Sequence, residues 1–332
     1  MVNVLQQFFV PIDSVCCMTY PRSHLVDPAG GNYHVCARCV RRAYLCGVDK
    51  ISGRDFSHRR KWIERRILEL GEIFTVSIYA YAVMTNHYHI VLRVEPRPLT
   101  DVEVVDRWLL LCPVTAVNTS QQYCHEARKF AILADQEKLA ELRLRLCSLS
   151  WFMRFLNEPL ARMANSEDRC KGRFWEGRFK SQHLLDEAAV LACMVYVDLN
   201  PIRAGIATTP ADSNFTSLQR RIRDNKINVF SQPIKAANSS RSPLPFEPLS
   251  LGDYLHLVRW TQGSQSTRKR SMPFGVSYSL LCNHTDSDQW FRDHLPCPGE
   301  WPRALGSIDA LKEHARELGQ CWIKRRRRTV DK

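Results

Sequence analysis

Apolar residues recur along this chain with two different periods, and the points where the period changes mark out its elements. "NYHVCARCVRRAYLCG" (32–47), rich in β-branched and aromatic residues, predicts a strand with Arg38, Arg41 and Arg42 on or just after it. In "SHRRKWIERRILELG" (57–71), Trp62, Ile63, Ile67 and Leu70 fall at helical spacing, and Gly71 is expected to stop the helix. "FTVSIYAYAVMTNHYHIVLRV" (74–94) holds two β-prone runs around Met84-Thr85-Asn86 and predicts a hairpin. Residues 100–145 are helical and polar, in the manner of an insertion. After them "SLSWFMRFLNEPLARMAN" predicts an amphipathic helix bent at Pro159, and "GRFWEGRFKSQHLL" a basic, aromatic loop leading into a strand. Asp186 is a sound N-cap for a helix running up to Pro201, whose ring disfavours further helix.

The order is therefore strand, helix, strand, strand, helix, strand, helix. An α+β sandwich accommodates it most simply: a ferredoxin-like antiparallel sheet with helices on one face, plus a small helical C-terminal appendage. The Pro- and Ser-rich stretch 232–248 reads as a linker between a main domain at 18–231 and a basic helical region at 249–332 that ends in four arginines. No internal repeat is visible.

Composition narrows the partners. The 332 residues are 45% hydrophobic, enough for a real core, yet 47 Lys and Arg stand against 34 Asp and Glu for a net charge of +13. That excess favours an anionic partner such as nucleic acid. No apolar run is long enough to cross a bilayer and the N-terminus makes a poor signal peptide, so a cytoplasmic protein without membrane contact is expected. Thirteen scattered cysteines suit reduced, partly buried thiols. Cys36 and Cys39 form a CxxC without a second pair at zinc-finger spacing, and the alternation around them suits a strand better than a zinc site.

Two residues apart on a strand, His87 and His89 present their imidazoles to one face while Tyr88 and Ile90 turn to the other. Two imidazoles are half a metal site, but a chain with 11 histidines often contains such a pair by chance, so two satisfied strand histidines remain an equal reading. Tyr196 and Asn200, four apart, share a helix face and could act on the same site. A phenolate beside a divalent ion is a competent nucleophile for a phosphodiester. Arg173, Phe174, Trp175, Arg178, Phe179 and Lys180 interleave charge with rings, which suits tracking a phosphate backbone and stacking bases of a single strand. At least one of those three rings is expected in the core.

Several ordered blocks resemble one family. "NHYHIVL" (86–92) resembles the histidine-hydrophobic-histidine motif of single-tyrosine HUH transposases of the insertion-sequence and REP-associated kind, and "YVDLNPIRAGIA" (196–207) is similar to their tyrosine helix. "CVRRAYLCG" (39–47), "AYAVMTNHYH" (80–89) and "GRFWEGRFKSQHLLDEAA" (172–189) resemble a longer-chain subgroup, so that the likeness spans about residues 18–225. The resemblance implies that His87, His89 and Asn200 bind one Mg²⁺ or Mn²⁺ and that Tyr196 attacks single-stranded or hairpin DNA. It implies a 5′-phosphotyrosine link and a free 3′-hydroxyl, with no nucleotide cofactor, in a monomer or homodimer. Arg38, Arg41, Arg42, Arg173, Trp175, Arg178 and Lys180 would touch the DNA. Asp198 is expected to face solvent rather than join the metal shell, and residues 1–17, ahead of "MTYPRSHLVDP", to be an N-terminal extension. The alternative is a domesticated, non-catalytic protein that binds single-stranded or hairpin DNA; a metal hydrolase of small molecules has little in its favour.

Overall fold

The computed structural model describes residues 30–40, 45–49, 53–113, 120–224, 236–237, 244–245, 249–262 and 301–320. The expected extension at 1–17, Arg41, Arg42 and the terminal arginines lie outside them, as does most of the expected linker.

Strand β1 (Gly31–Arg38) leads to α1 (Arg59–Ile73), then to the hairpin β2 (Val76–Val83) and β3 (His87–Val94). Helices α2 (Asp101–Leu111), α3 (Ser120–Ala134), α4 (Gln136–Leu146) and α5 (Leu149–Glu167) follow, then β4 (Lys180–Leu184) and α6 (Glu187–Arg203). The chain goes on to α7 (Ser217–Asp224), α8 (Leu251–Gln262), a two-residue β5 (Ala304–Leu305) and α9 (Ile308–Glu317). Among the described residues the fold is mixed α+β around one five-stranded sheet, ordered β2-β3-β1-β4-β5. Pairing is antiparallel except between β4 and β5.

The expectation of helices on one face is corrected, because both faces of the sheet are covered. One core gathers Tyr33, Val35, Tyr88, Ile90 and Leu92 from the strands with Ile63, Ile67, Leu142, Phe152 and Leu156 from α1, α4 and α5. The opposite core joins Tyr79, Ala80, Ala82 and Val91 to α6 and α8. All eight residues of β2 are buried, as a two-sided strand requires. Its register shifts between Ile78 and Ala80, which turns Tyr79 and Ala80 to the same side. Helix α6 has 12 of its 17 residues buried, because sheet and α8 cover it from two sides. An apolar surface that wide cannot be hidden against a sheet alone.

Two described parts of 249–332 touch this second layer. Leu251, Tyr254, Leu255 and Val258 of α8 belong to the same core as α6, and β5 extends the sheet beside β4. Two helix ends also differ from expectation. The first helix runs past Gly71 to Ile73, where the Phe74 N–H closes on Leu70 O at 2.9 Å. Helix α6 continues through Pro201 to Arg203. A proline in the last turn forfeits one hydrogen bond, and the Ala204 N–H to Asn200 O bond at 2.9 Å carries the helix past it.

Candidate active site

The site is assembled by register. Across β1 and β3, Arg38 pairs with His87, Cys36 with His89 and His34 with Val91; across β1 and β4, Cys36 pairs with Lys180 and His34 with Gln182. Paired residues of antiparallel strands share a face. His34, Cys36, Arg38, His87, His89, Lys180 and Gln182 therefore all stand on the α6 side of the sheet.

Helix α6 brings Tyr196 onto this patch. Its ring meets His89 edge-on at 5.8 Å and His34 edge-on at 6.0 Å between centroids. The His87 and His89 rings are 4.9 Å apart and nearly perpendicular. His89 Nδ1 lies 2.9 Å from His34 Nε2, and His34 Nδ1 lies 2.9 Å from Gln182 Oε1. His87 Nδ1 is bonded to Asn86 Oδ1 at 2.5 Å. Among the described residues neither His87 Nε2 nor His89 Nε2 makes a hydrogen bond. The Asn200 amide donates to its own helix, to Tyr196 O at 3.5 Å. The Arg203 guanidinium lies 5.8 Å from the Tyr196 ring centre.

Burial sets the electrostatics. It lowers His34 from 6.5 to about 4, against the opposing Gln182 hydrogen bond. It lowers His87 to about 4 as well, helped by the Arg38 charge. His89 is held well below the ordinary histidine range by burial first, then by His34, His87 and Arg38. All three imidazoles are thus neutral near pH 7. Burial raises the Tyr196 phenol above its ordinary 10, while a hydrogen bond with Asn200 pulls the other way. The Cys36 thiol is pushed up to about 12, again by burial, and is no nucleophile at neutral pH.

His87, His89 and Tyr196 therefore meet, with Asn200 one turn further along the same helix. Arg38, Arg173, Arg178 and Lys180 are exposed. Phe174 is core, whereas Trp175 and Phe179 are partly buried against it. Asp198 corrects the expectation of a solvent-facing carboxylate, being fully buried on the far side of α6. It accepts hydrogen bonds from Ser217 Oγ at 2.6 Å, Tyr254 OH at 2.7 Å and the Leu218 N–H at 3.2 Å. A depression of about 470 Å³, lined by Trp151, Asn157, Trp175, Arg178 and Phe179, opens beside the basic loop rather than at the histidines. Among the described residues no group of three or more His, Cys, Asp or Glu is arranged to hold a metal ion.

Sequence reasoning missed His34, Gln182 and Trp301, whose ring tilts over His34 at 4.9 Å. His34 and Gln182 have the same strand parity as the residues that were found, but parity becomes informative only once the register is known.

Compared with known proteins, the sequence matches no family model and no curated protein. It is similar to a solved structure of a REP-associated tyrosine transposase bound to a REP hairpin, at 13% identity and a TM-score of 0.36. That match covers 66% of this chain and 92% of the other.

Proposed function

We propose that this chain cleaves and rejoins single-stranded DNA with Tyr196 as nucleophile, a transposase-type strand transfer dependent on Mg²⁺ or Mn²⁺. One observation carries the reading: two neighbouring strand histidines, their Nε2 atoms without a hydrogen bond among the described residues, stand together with the second, His89, against the ring of a helix tyrosine. The donor set fits a divalent ion held loosely, since both Nδ1 atoms are engaged and each Nε2 remains for a ligand bond. His87 and His89 would hold it, with the Asn200 amide oxygen completing the protein's share. When bound, the ion would polarise the scissile phosphate. The strand order β2-β3-β1-β4, reached through a β-α-β-β-α-β path, is in keeping with the ferredoxin-like sandwich.

In the reaction, the Tyr196 oxygen attacks phosphorus, a 5′-phosphotyrosine bond forms and the bond to O3′ breaks. The phenol gives up its proton, and O3′ takes one up to leave as a hydroxyl. Burial keeps the phenol protonated at neutral pH, so proton removal accompanies attack. The 3′-hydroxyl of another strand end reverses the step without ATP or water. Exposed Arg38, Arg173, Arg178 and Lys180, with the half-buried Trp175, supply phosphate contacts and a stacking ring.

The test is incubation of the protein with Mn²⁺ and single-stranded DNA taken from beside its own gene, followed by denaturing electrophoresis. Wild type should give a covalent protein–DNA band that Tyr196→Phe lacks while still binding the strand. Equal adduct in the variant refutes the proposal. Strand binding by wild type with no cleavage in Mn²⁺ would favour the non-catalytic DNA-binding reading.

A further inference from the structure

A histidine can serve a metal through Nε2 only if its proton sits on Nδ1, and in water the two neutral tautomers interconvert freely. What fixes the proton on His89 is a chain of hydrogen bonds that starts far away in sequence. Pro302 O can only accept, and Gln182 Nε2 donates to it at 3.0 Å. That orients the amide and turns Gln182 Oε1 to His34 Nδ1 at 2.9 Å. An amide oxygen can only accept as well, so the His34 proton sits on Nδ1 and its Nε2 carries a lone pair. The one proton in the 2.9 Å contact between His34 Nε2 and His89 Nδ1 then belongs to His89. No carboxylate bonds either ring among the described residues; burial first, and the Arg38 charge with it, favour a neutral His89, while at the neighbouring Cys36 the cations Arg38 and Lys180 stand with the anion Glu176. We infer that Gln182 and His34 are positioning residues that hold His89 as the Nδ1–H tautomer, with its Nε2 lone pair directed into the site.

The relay gives residues 301–305 a role. The His183 N–H donates to Arg303 O at 2.8 Å, the Leu185 N–H donates to Leu305 O at 2.9 Å, and β5 pairs with β4, so the Pro302 carbonyl is fixed to the strand that carries Gln182. Trp301 tilts over the buried His34 ring. The C-terminal region would thus reach the candidate metal site through a proton pattern rather than through a ligand.

The inference rests on His89 being a ligand, but its first readout does not. Long-range ¹H–¹⁵N spectra of imidazoles in the ¹⁵N-labelled, metal-free full chain report the tautomer of each histidine, with His34→Gln and His89→Gln for assignment. Wild type should show both His34 and His89 protonated on Nδ1. Gln182→Leu should leave His89 a mixture of tautomers and weaken Mn²⁺ binding, followed by the signal of free Mn²⁺ in electron paramagnetic resonance, by about 10- to 100-fold. Gln182→Glu, which cannot donate to Pro302 O and whose carboxylate favours a doubly protonated His34 with its Nε2–H turned to His89, should restore neither. A merely structural Gln182 would lower stability without moving the tautomer. The proposal is overturned if wild-type His89 is protonated on Nε2, or if Gln182→Leu keeps the tautomer and the affinity. Expected tautomers in a protein that does not bind Mn²⁺ would support the relay and overturn the metal reading instead.

Discussion

Replacing Tyr254 by Phe deletes one buried hydroxyl, and the structure says what that oxygen does. Tyr254 OH donates to Asp198 Oδ2 at 2.7 Å in a fully buried setting, joining α8 to the helix that carries Tyr196. Burial raises the Asp198 acid, and Arg221, Ser217, Tyr254 and the Leu218 N–H oppose that rise. Three donors and an Arg221 Nη1 contact at 3.8 Å describe an ionised carboxylate. Loss of a hydrogen bond to a buried charge costs about 1.5–3 kcal/mol, against about 1 kcal/mol for a neutral pair. The control is built in: Tyr88 OH donates at 2.5 Å to the neutral Asn157 amide, with its ring equally buried. Urea denaturation at pH 7 should therefore show Tyr254→Phe costing about twice as much as Tyr88→Phe. Because the deletion raises the Asp198 acid further in the folded state, its cost belongs to the ionised form and should shrink as the pH falls and Asp198 protonates. Equal costs for the two variants, or a Tyr254→Phe cost independent of pH, would refute an ionised Asp198.

Three other outcomes are expected. His34 is neutral in the metal-free fold down to about pH 4 but titrates near 6.5 when unfolded, so the unfolded chain binds the extra proton between those values. Stability is then complete above pH 6.5 and falls by about 3 kcal/mol toward pH 4 on account of His34, a slope that His34→Gln should flatten in urea titrations and that a pH-independent difference between the two proteins would disprove. Arg59→Met removes the buried cation that contacts Glu167 Oε2 at 2.7 Å and Asp168 Oδ1 at 2.5 Å, and should cost about 3 kcal/mol in the same assay. Gly30 has φ +93°, and an added Cβ would lie 2.5 Å from both Val94 O and Pro96 Cδ, so Gly30→Ala should destabilise by about 2 kcal/mol or more, seen as a lower melting temperature.

The elements were legible wherever one period held for a full run. Ile63, Ile67 and Leu70 marked α1, the turn at Met84-Thr85-Asn86 marked the β2–β3 hairpin, and the Asp186 N-cap marked α6, where its side chain accepts from the Ala189 N–H at 2.8 Å. The double-sided sheet was not legible, although its trace is visible afterwards. "VSIYAYAV" has few polar positions to alternate with, and "AAVLACMVYVDL" is apolar well beyond one stripe, so both segments needed cover from two sides. The bulge that turns Tyr79 and Ala80 to one face is a local event with no periodic signal. Asp198 misled for a related reason. Two residues from Tyr196 it must lie on the opposite side of the helix, and solvent is the ordinary expectation there until α8 is known to cover it.

The candidate site divides along the same line. His87 with His89, and Tyr196 with Asn200, are separations of two and four within one element, so local geometry alone places each pair on one face. The remaining members are separated by 148, 55 and 120 residues at the contacts from His34 to Gln182, His34 to His89 and Gln182 to Pro302. Nothing local relates such positions; they meet because β1 takes β3 on one side and β4 on the other, and β5 closes the far edge. The residues that would carry the chemistry form two short-range pairs that only the fold brings together, and those that would fix their protons have no local partner at all. A substitution at His34, Gln182 or the 301–305 segment should therefore alter how the site is held while leaving the histidine pair and the tyrosine helix intact.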